Sequence, residues 1–220
     1  VYTDWNDVLI PDVLKGFDGV FLMQTGMDVP PEAVTTLKRS ACPVVSLDLD
    51  LSGSGIPSIY LFPEKAIRKL LDHLKGLGHQ QIACFNTCKM NMIVQGRIDY
   101  WESWKAENGV EGELFNSPGE DNTVDYGAVR AQQEFGRLLD ERAFADTAVI
   151  CTNVWTALGV EKAMESRGLQ VGKAISVCAV NDEMLAPWLT PSLTALRMPS
   201  AEKALAKCVK WMIAGGRGWR

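Results

Sequence analysis

Short apolar runs alternate with amphipathic segments along this chain, and that alternation constrains its fold more than any other feature. The runs have the length of buried strands and are bounded by turn residues: FDGVFLM (17–23), CPVVSLDL (42–49), QQIACF (80–85), TAVIC (147–151) and ISVCAV (175–180). The segments between them have helical character: 30–40, 63–75, 93–108, 127–142, 155–167 and 200–214. Strands and helices in regular alternation predict parallel sheets with helices on both faces.

The remaining segments are assigned from their turn residues. LSGSGIP (51–57) is predicted to be a loop, and the polar stretch FNSPGEDNT (115–123) is predicted to be an exposed connection. LTPSLTAL (189–196) is expected to be extended, and Ser200 is expected to cap the last helix.

His79, in LKGLGHQQIACF (74–85), raises the question of a catalytic or metal-binding histidine. The chain has only two histidines, and no serine or cysteine elbow lies near this one in the sequence. We therefore predict that His79 is a turn residue between a helix and a strand, hydrogen-bonded to neighbouring backbone.

Composition restricts the class of protein. The formal charge is −5 over 220 residues, which argues against this segment binding a nucleic-acid backbone by itself. No apolar run is long enough to cross a bilayer, since about 18 residues are needed. The six cysteines are scattered, mostly within apolar runs, which is typical of reduced cysteines in the cytoplasm. Cys84 and Cys88 have no further soft ligands nearby, so we expect neither a metal site nor a cofactor.

Five segments resemble the LacI/GalR family of bacterial transcription regulators, in the family's order and spacing. They are FDGVFL, LKGLGHQQIACF, ICTNVWTALGVEKAMESRGLQVG, ISVCAVND and LTPSLTALRMPSAEKALAKCVKWMIAGG. The resemblance implies an α/β fold of the periplasmic-binding-protein-like type I, in which crossover strands join two Rossmann-like parallel-sheet subdomains. The N-terminal subdomain would comprise residues 1–61 and 197–220, and the C-terminal subdomain residues 62–196. The chain departs from the family at both ends, so the domain is expected to be divergent or incomplete there.

The resemblance also implies a ligand site in the cleft between the subdomains. Arg97 matches the family's cleft arginine, whose guanidinium can hold two hydroxyls or a carboxylate; the alternative is an exposed arginine on a helix. Asn153 follows a strand and offers both a donor and an acceptor, or else it caps the next helix. Asn181 stands where the family usually has aspartate, and a shift of one residue would place Asp182 there instead.

Three aromatic residues and one acid complete the predicted site. Asp48 matches an acidic position of some family members, although it could instead cap the SGSG turn. Tyr126 matches an aromatic position that stacks on a sugar, and Trp155 could stack in the same way; both could also belong to the core. Phe62 lies at the predicted crossover and makes that side of the cleft more apolar than in the family.

The leading hypothesis is a small-molecule-sensing and dimerisation domain of a cytoplasmic regulator, with a sugar or sugar derivative as the ligand. Ligand-driven closure would shift the DNA affinity of a homodimer, and DNA would be bound only through a headpiece absent from these 220 residues, of helix-turn-helix or another type. The alternative is a solute-binding protein of a sugar importer. An enzyme is not expected, because the acid and base groups form no recognisable pair.

Overall fold

The computed structural model describes residues 14–23, 29–60, 64–119, 127–197 and 199–219. Its strands are β1 (Val20–Met23), β2 (Val44–Leu47), β3 (Ser58–Ile59), β4 (Ile82–Asn86), β5 (Leu114–Asn116), β6 (Ala148–Cys151), β7 (Ser176–Ala179) and β8 (Thr194–Ala195). Its longer helices are α1 (Pro31–Arg39), α2 (Arg68–Gly76), α3 (Met92–Asn108), α4 (Ala128–Asp140), α5 (Val154–Glu165) and α6 (Glu202–Ile213). All strand pairs formed by these elements are parallel, so the predicted fold class is confirmed.

The chain divides into two units, the first being Val1–Pro63 with Pro199–Arg220. Its described sheet has the order β1-β2-β3. One small core on this sheet includes Val45, Cys208 and Met212, so α6 packs against β2. The other core includes Leu37 of α1 and Val44. Both helices bury their apolar residues against the sheet, as their sequence periodicity predicts.

The second unit is Glu64–Met198, with a five-stranded sheet in the order β5-β4-β6-β7-β8. Its central strands β4 and β6 are fully buried and read as continuous apolar runs, as expected for a parallel sheet covered on both faces. Helices α4 and α5 pack closely on one face. A Cβ atom at Gly159 would overlap the Ala128 carbonyl oxygen and the Ala131 Cβ, so this contact requires glycine.

Several predicted boundaries are corrected by the structure. Residues 114–116, at the start of the predicted exposed connection, form β5, and Ser58–Ile59 after the predicted loop form β3. These strands are too short to show alternation in the sequence. Only Thr194–Ala195 of the predicted extended segment pair as a strand. The last helix begins one residue later than predicted, with Ala201 as its cap residue.

His79 lies in the turn before β4, as predicted, but its partners differ from the predicted backbone groups. Its Nδ1 lies 2.8 Å from Thr147 Oγ1 and its Nε2 lies 3.0 Å from Ser176 Oγ. These hydroxyls precede β6 and begin β7, so the imidazole joins the amino-terminal ends of three strands. Partial burial lowers the pKa of His79, which favours the neutral ring that can donate with one nitrogen and accept with the other. The role of His79 is therefore structural.

Candidate functional site

Polar residues follow β4, β6 and β7 at the point where each strand ends. Because the strands are parallel and adjacent, their carboxyl ends meet at one edge of the second unit's sheet. The residues that follow the strands there are Thr87, Cys88, Thr152, Asn153, Asn181 and Asp182. Open α/β sheets bind their ligands at this edge, so we take it as the candidate site.

Asn86 organises the floor of this edge. It is fully buried at the end of β4, and its Nδ2 donates to Asn116 Oδ1 at 2.8 Å. Its Oδ1 accepts from Thr152 Oγ1 at 2.6 Å. The amide therefore ties the ends of β5 and β6 to β4, and a buried polar group of this kind is stable only when it is hydrogen-bonded. Asn86 was not among the residues predicted from the sequence. A polar residue that ends an apolar strand is the signal that could have indicated it.

Arg97 reaches the same edge from the second turn of α3. Asn91 caps the helix, and its side chain accepts from Val94 N at 2.9 Å. Arg97 lies one turn before the buried Trp101 and therefore on the helix side that faces the sheet. Its Nη1 donates to Thr152 O at 2.6 Å. The guanidinium is thus anchored at one end of its fork, which orients the rest of it.

Asn153 caps α5, as the alternative interpretation of this residue proposed. Its Oδ1 accepts from Thr156 N at 2.7 Å, and its Nδ2 donates to Cys88 Sγ. The cap fixes the side chain at the carboxyl end of β6. A direct role in ligand binding remains a prediction for this residue.

Asn181 and Trp155 meet through an acid that the sequence analysis did not select. Asn181 Oδ1 accepts from Val154 N at 3.1 Å, so the residue is joined to the first turn of α5. Its Nδ2 donates to Glu183 Oε1 at 3.2 Å, and Trp155 Nε1 donates to Glu183 Oε2 at 2.8 Å. Asn181 is partly exposed whereas Asp182 is buried, which favours Asn181 over Asp182 as the accessible residue.

Cys88 lies among these groups, and the charged groups of the edge affect the pKa of its thiol. Burial raises the pKa of Cys88, while hydrogen bonds from Thr156 and Asn153 and the charge of Arg97 lower it. The carboxylate of Glu183 acts in the opposite direction to Arg97. Burial prevails, so the thiol stays protonated at neutral pH and is a weak nucleophile.

Of the other three predicted site residues, one belongs to the first unit and two are outside the described residues. Asp48 follows β2 in the first unit, where its backbone has φ 60° and its N–H donates to Ile59 O at 2.8 Å. The turn that Asp48 could have capped is capped by Asp50, whose Oδ1 accepts from Ser52 N at 2.9 Å. Phe62 and Tyr126 lie outside the described residues. The structure therefore brings together Arg97, Asn153, Asn181 and Trp155.

The described residues contain neither a metal-binding group nor a membrane-spanning helix. Histidine, cysteine and acidic side chains in this part of the chain form no group of three or more that could hold a metal ion. Within the same ranges, no helix has both the length and the apolar character that a membrane crossing requires. The described side chains at the edge offer hydrogen bonding by amides, a guanidinium and a carboxylate, with one indole ring.

Comparison with known proteins places this geometry in context. Residues 71–215 match the model of the periplasmic binding protein-like domain. The lactose operon repressor of Escherichia coli K12 is 30% identical over 161 residues, which are 72% of this chain and 43% of that protein. This chain spans about half the length of the curated relatives that it matches. Those relatives are transcriptional repressors and regulators rather than enzymes.

Solved structures share the fold. A LacI-family regulator from Enterococcus faecium with bound ribose superposes with a TM-score of 0.78 at 19% identity, covering 100% of this chain and 80% of that one. A LacI-family regulator from Arthrobacter in complex with lactose gives a TM-score of 0.75 at 20% identity, covering 98% and 78%. At these identities the likeness establishes the architecture alone.

Proposed function

We propose that this chain, which belongs to the LacI/GalR family, senses a small molecule for a bacterial transcription regulator. The part of the family's architecture that it carries is the periplasmic-binding-protein-like effector domain. The observation that carries the proposal is the convergence of Arg97, Asn153 and Asn181 at the carboxyl edge of the second unit's sheet. Such an edge is where α/β folds bind ligands.

A sugar or sugar derivative is the ligand class that these side chains suit. Amides and a guanidinium match the paired donors and acceptors of a polyol, and the face of Trp155 can pack on the C–H groups of a sugar ring. Two structural relatives hold ribose and lactose, which supports the same class. Asp48, Phe62 and Tyr126 remain predicted ligand residues in this proposal.

The ligand would act by closing residues 62–196 against residues 1–61 and 197–220. A ligand that binds the closed form more tightly shifts the population toward it, and the difference in affinity between the two forms sets the size of the response. In this proposal the regulator is a cytoplasmic homodimer, and it contacts DNA through a domain outside these 220 residues. The formal charge of −5 agrees with a separate DNA-binding part.

A thermal-shift screen of sugars, sugar phosphates, sugar acids and nucleosides tests the proposal. A ligand at about one hundred times its Kd should stabilise the chain by about 2.7 kcal/mol. Arg97→Ala should abolish the response. Arg137→Ala is the matched control, because this arginine forms only surface ion pairs with Glu134 and Glu141 among its described contacts. A screen without any stabilising compound, or a response unchanged in Arg97→Ala, would contradict the proposed function.

A further inference from the structure

The loop after β7 adopts a backbone that side chains rarely allow. Glu183 has φ 39° and Met184 has φ 62°, so two consecutive residues other than glycine lie in the left-handed region. The turn is closed by Leu185 N, which donates to Asp182 O at 2.7 Å. Strain of this kind persists only where surrounding contacts hold it, and it is concentrated at functional sites.

The strained turn places the Glu183 carboxylate between two of the predicted ligand residues. One oxygen accepts from Trp155 Nε1 at 2.8 Å and the other accepts from Asn181 Nδ2 at 3.2 Å. A carboxylate has about four acceptor positions, so these two bonds orient it and still leave acceptor positions on both oxygens. Glu183 is exposed, and those positions are therefore accessible to a ligand.

Glu183 also brings a negative charge to the edge. Resemblance to the family leads one to expect an aspartate where this chain has Asn181, and Glu183 returns a negative charge two residues later. Arg97 and Glu183 act with opposite sign on the same Cys88 thiol, so a cation and an anion share this edge. The guanidinium is already engaged with Thr152 O, whereas the carboxylate is exposed.

We propose that Glu183 is the specificity-determining acid of this site and that it selects neutral polyhydroxylated ligands over acidic sugars. This inference rests on the proposed function of the same edge. Hydroxyl groups donate to a carboxylate in charge-assisted hydrogen bonds, which are stronger than bonds to a neutral amide. A sugar acid that enters the same edge places a second carboxylate beside Glu183, and like charges in a partly desolvated site repel each other.

Isothermal titration calorimetry of the full chain with three matched pairs tests this selectivity. The pairs are D-glucose with D-glucuronate, D-galactose with D-galacturonate, and D-mannose with D-mannuronate. At least one neutral member should bind at least about tenfold more tightly than its acid. Glu183→Gln should weaken the neutral sugar by about tenfold and bring the two affinities of the pair closer together, since both charge-dependent effects are lost.

Two further variants separate recognition from folding. Glu183→Gly relieves the left-handed strain but also removes two hydrogen bonds, so the opposing effects should leave thermal stability close to that of the unmodified chain while binding weakens. Glu165→Gln removes an exposed carboxylate at the far end of α5 and should change neither affinity nor selectivity. Sugar binding with unchanged affinity and selectivity in Glu183→Gln would overturn this inference alone. If neither these six sugars nor any compound of the thermal-shift screen binds the unmodified chain, the proposed function fails together with this inference.

Discussion

Glu161 lies in a position that makes the stability of the second unit depend on pH. It lines a cavity of about 460 Å³ beside α5, together with residues of 169–171 and 189–191. Its Oε1 is buried and accepts no hydrogen bond from the described residues. Burial raises the pKa of this carboxyl from 4.5 to about 7. The native state therefore favours the protonated form, and ionisation near neutral pH destabilises it.

The replacement Glu161→Gln removes the ionisation and keeps the size of the side chain. Below pH 4.5 the carboxyl is protonated in both the folded and the unfolded chain, so its ionisation costs the native state nothing. Between pH 4.5 and about 7 the unfolded chain ionises first, and the wild type loses stability relative to the variant as the pH rises. The full difference corresponds to about 3 kcal/mol, at about 1.36 kcal/mol per pH unit. Because the side chain is partly exposed, we expect about 1–2 kcal/mol.

Urea unfolding at pH 5, 6, 7 and 8, followed by tryptophan fluorescence, measures this difference. The free energy of unfolding of Glu161→Gln minus that of the wild type should rise from pH 5 to 7 and then level off. The control is Glu165→Gln, which removes an exposed carboxylate one turn after Glu161 that pairs with Lys162, and it should give a difference that hardly varies. A difference for Glu161→Gln that does not vary between pH 5 and 8 would show that burial does not raise the pKa of Glu161 in the folded chain.

Three other substitutions test the packing and hydrogen bonds that position the site. Gly159→Ala should destabilise the chain by about 1–3 kcal/mol in urea unfolding, because α4 and α5 would be forced apart. The control Gly76→Ala has open space around its new methyl group and should be neutral or slightly stabilising. Equal effects of the two substitutions would contradict the close packing of α4 on α5. His79→Ala should cost about 1–2 kcal/mol by loss of two bonds between strand ends, and an unchanged midpoint would exclude this role. Asn153→Ala should lower the free energy of unfolding by about 1 kcal/mol through loss of the helix cap, and a fully stable variant would contradict the cap.

The regular elements could be predicted because their signals are local. The buried strands β4 and β6 are continuous apolar runs, and α2 and α4 carry clear amphipathic periodicity. Strands β3 and β5 could not be predicted, since two or three residues show no period. Their pairing is set by the neighbouring strand, which is tertiary information.

The contacts at the candidate edge depend on strand register, which the sequence does not display. Asn86 bonds to Thr152 across 66 positions, and Trp155 bonds to Glu183 across 28 positions. The hydrogen-bond partners of His79 could not be predicted for the same reason, because they begin or precede strands far along the chain. Residue type and position after a strand led to the prediction of Asn153, whereas Asn181 was predicted from the resemblance to the family. Glu183 requires knowledge of a left-handed turn that no glycine marks.

The central claim is that a sugar binds at the carboxyl edge of the second unit's sheet, and the indole N–H of Trp155 is the most direct reporter of it. With ¹⁵N-labelled tryptophan, the Trp155 resonance can be assigned by Trp155→Phe. Trp104 Nε1, which donates to Asp72 Oδ1 at 2.8 Å, gives an internal reference. A stabilising sugar should shift the Trp155 indole resonance in a saturable way and leave that of Trp104 in place. A sugar that binds without moving the Trp155 resonance would show that the ligand site is not at this edge.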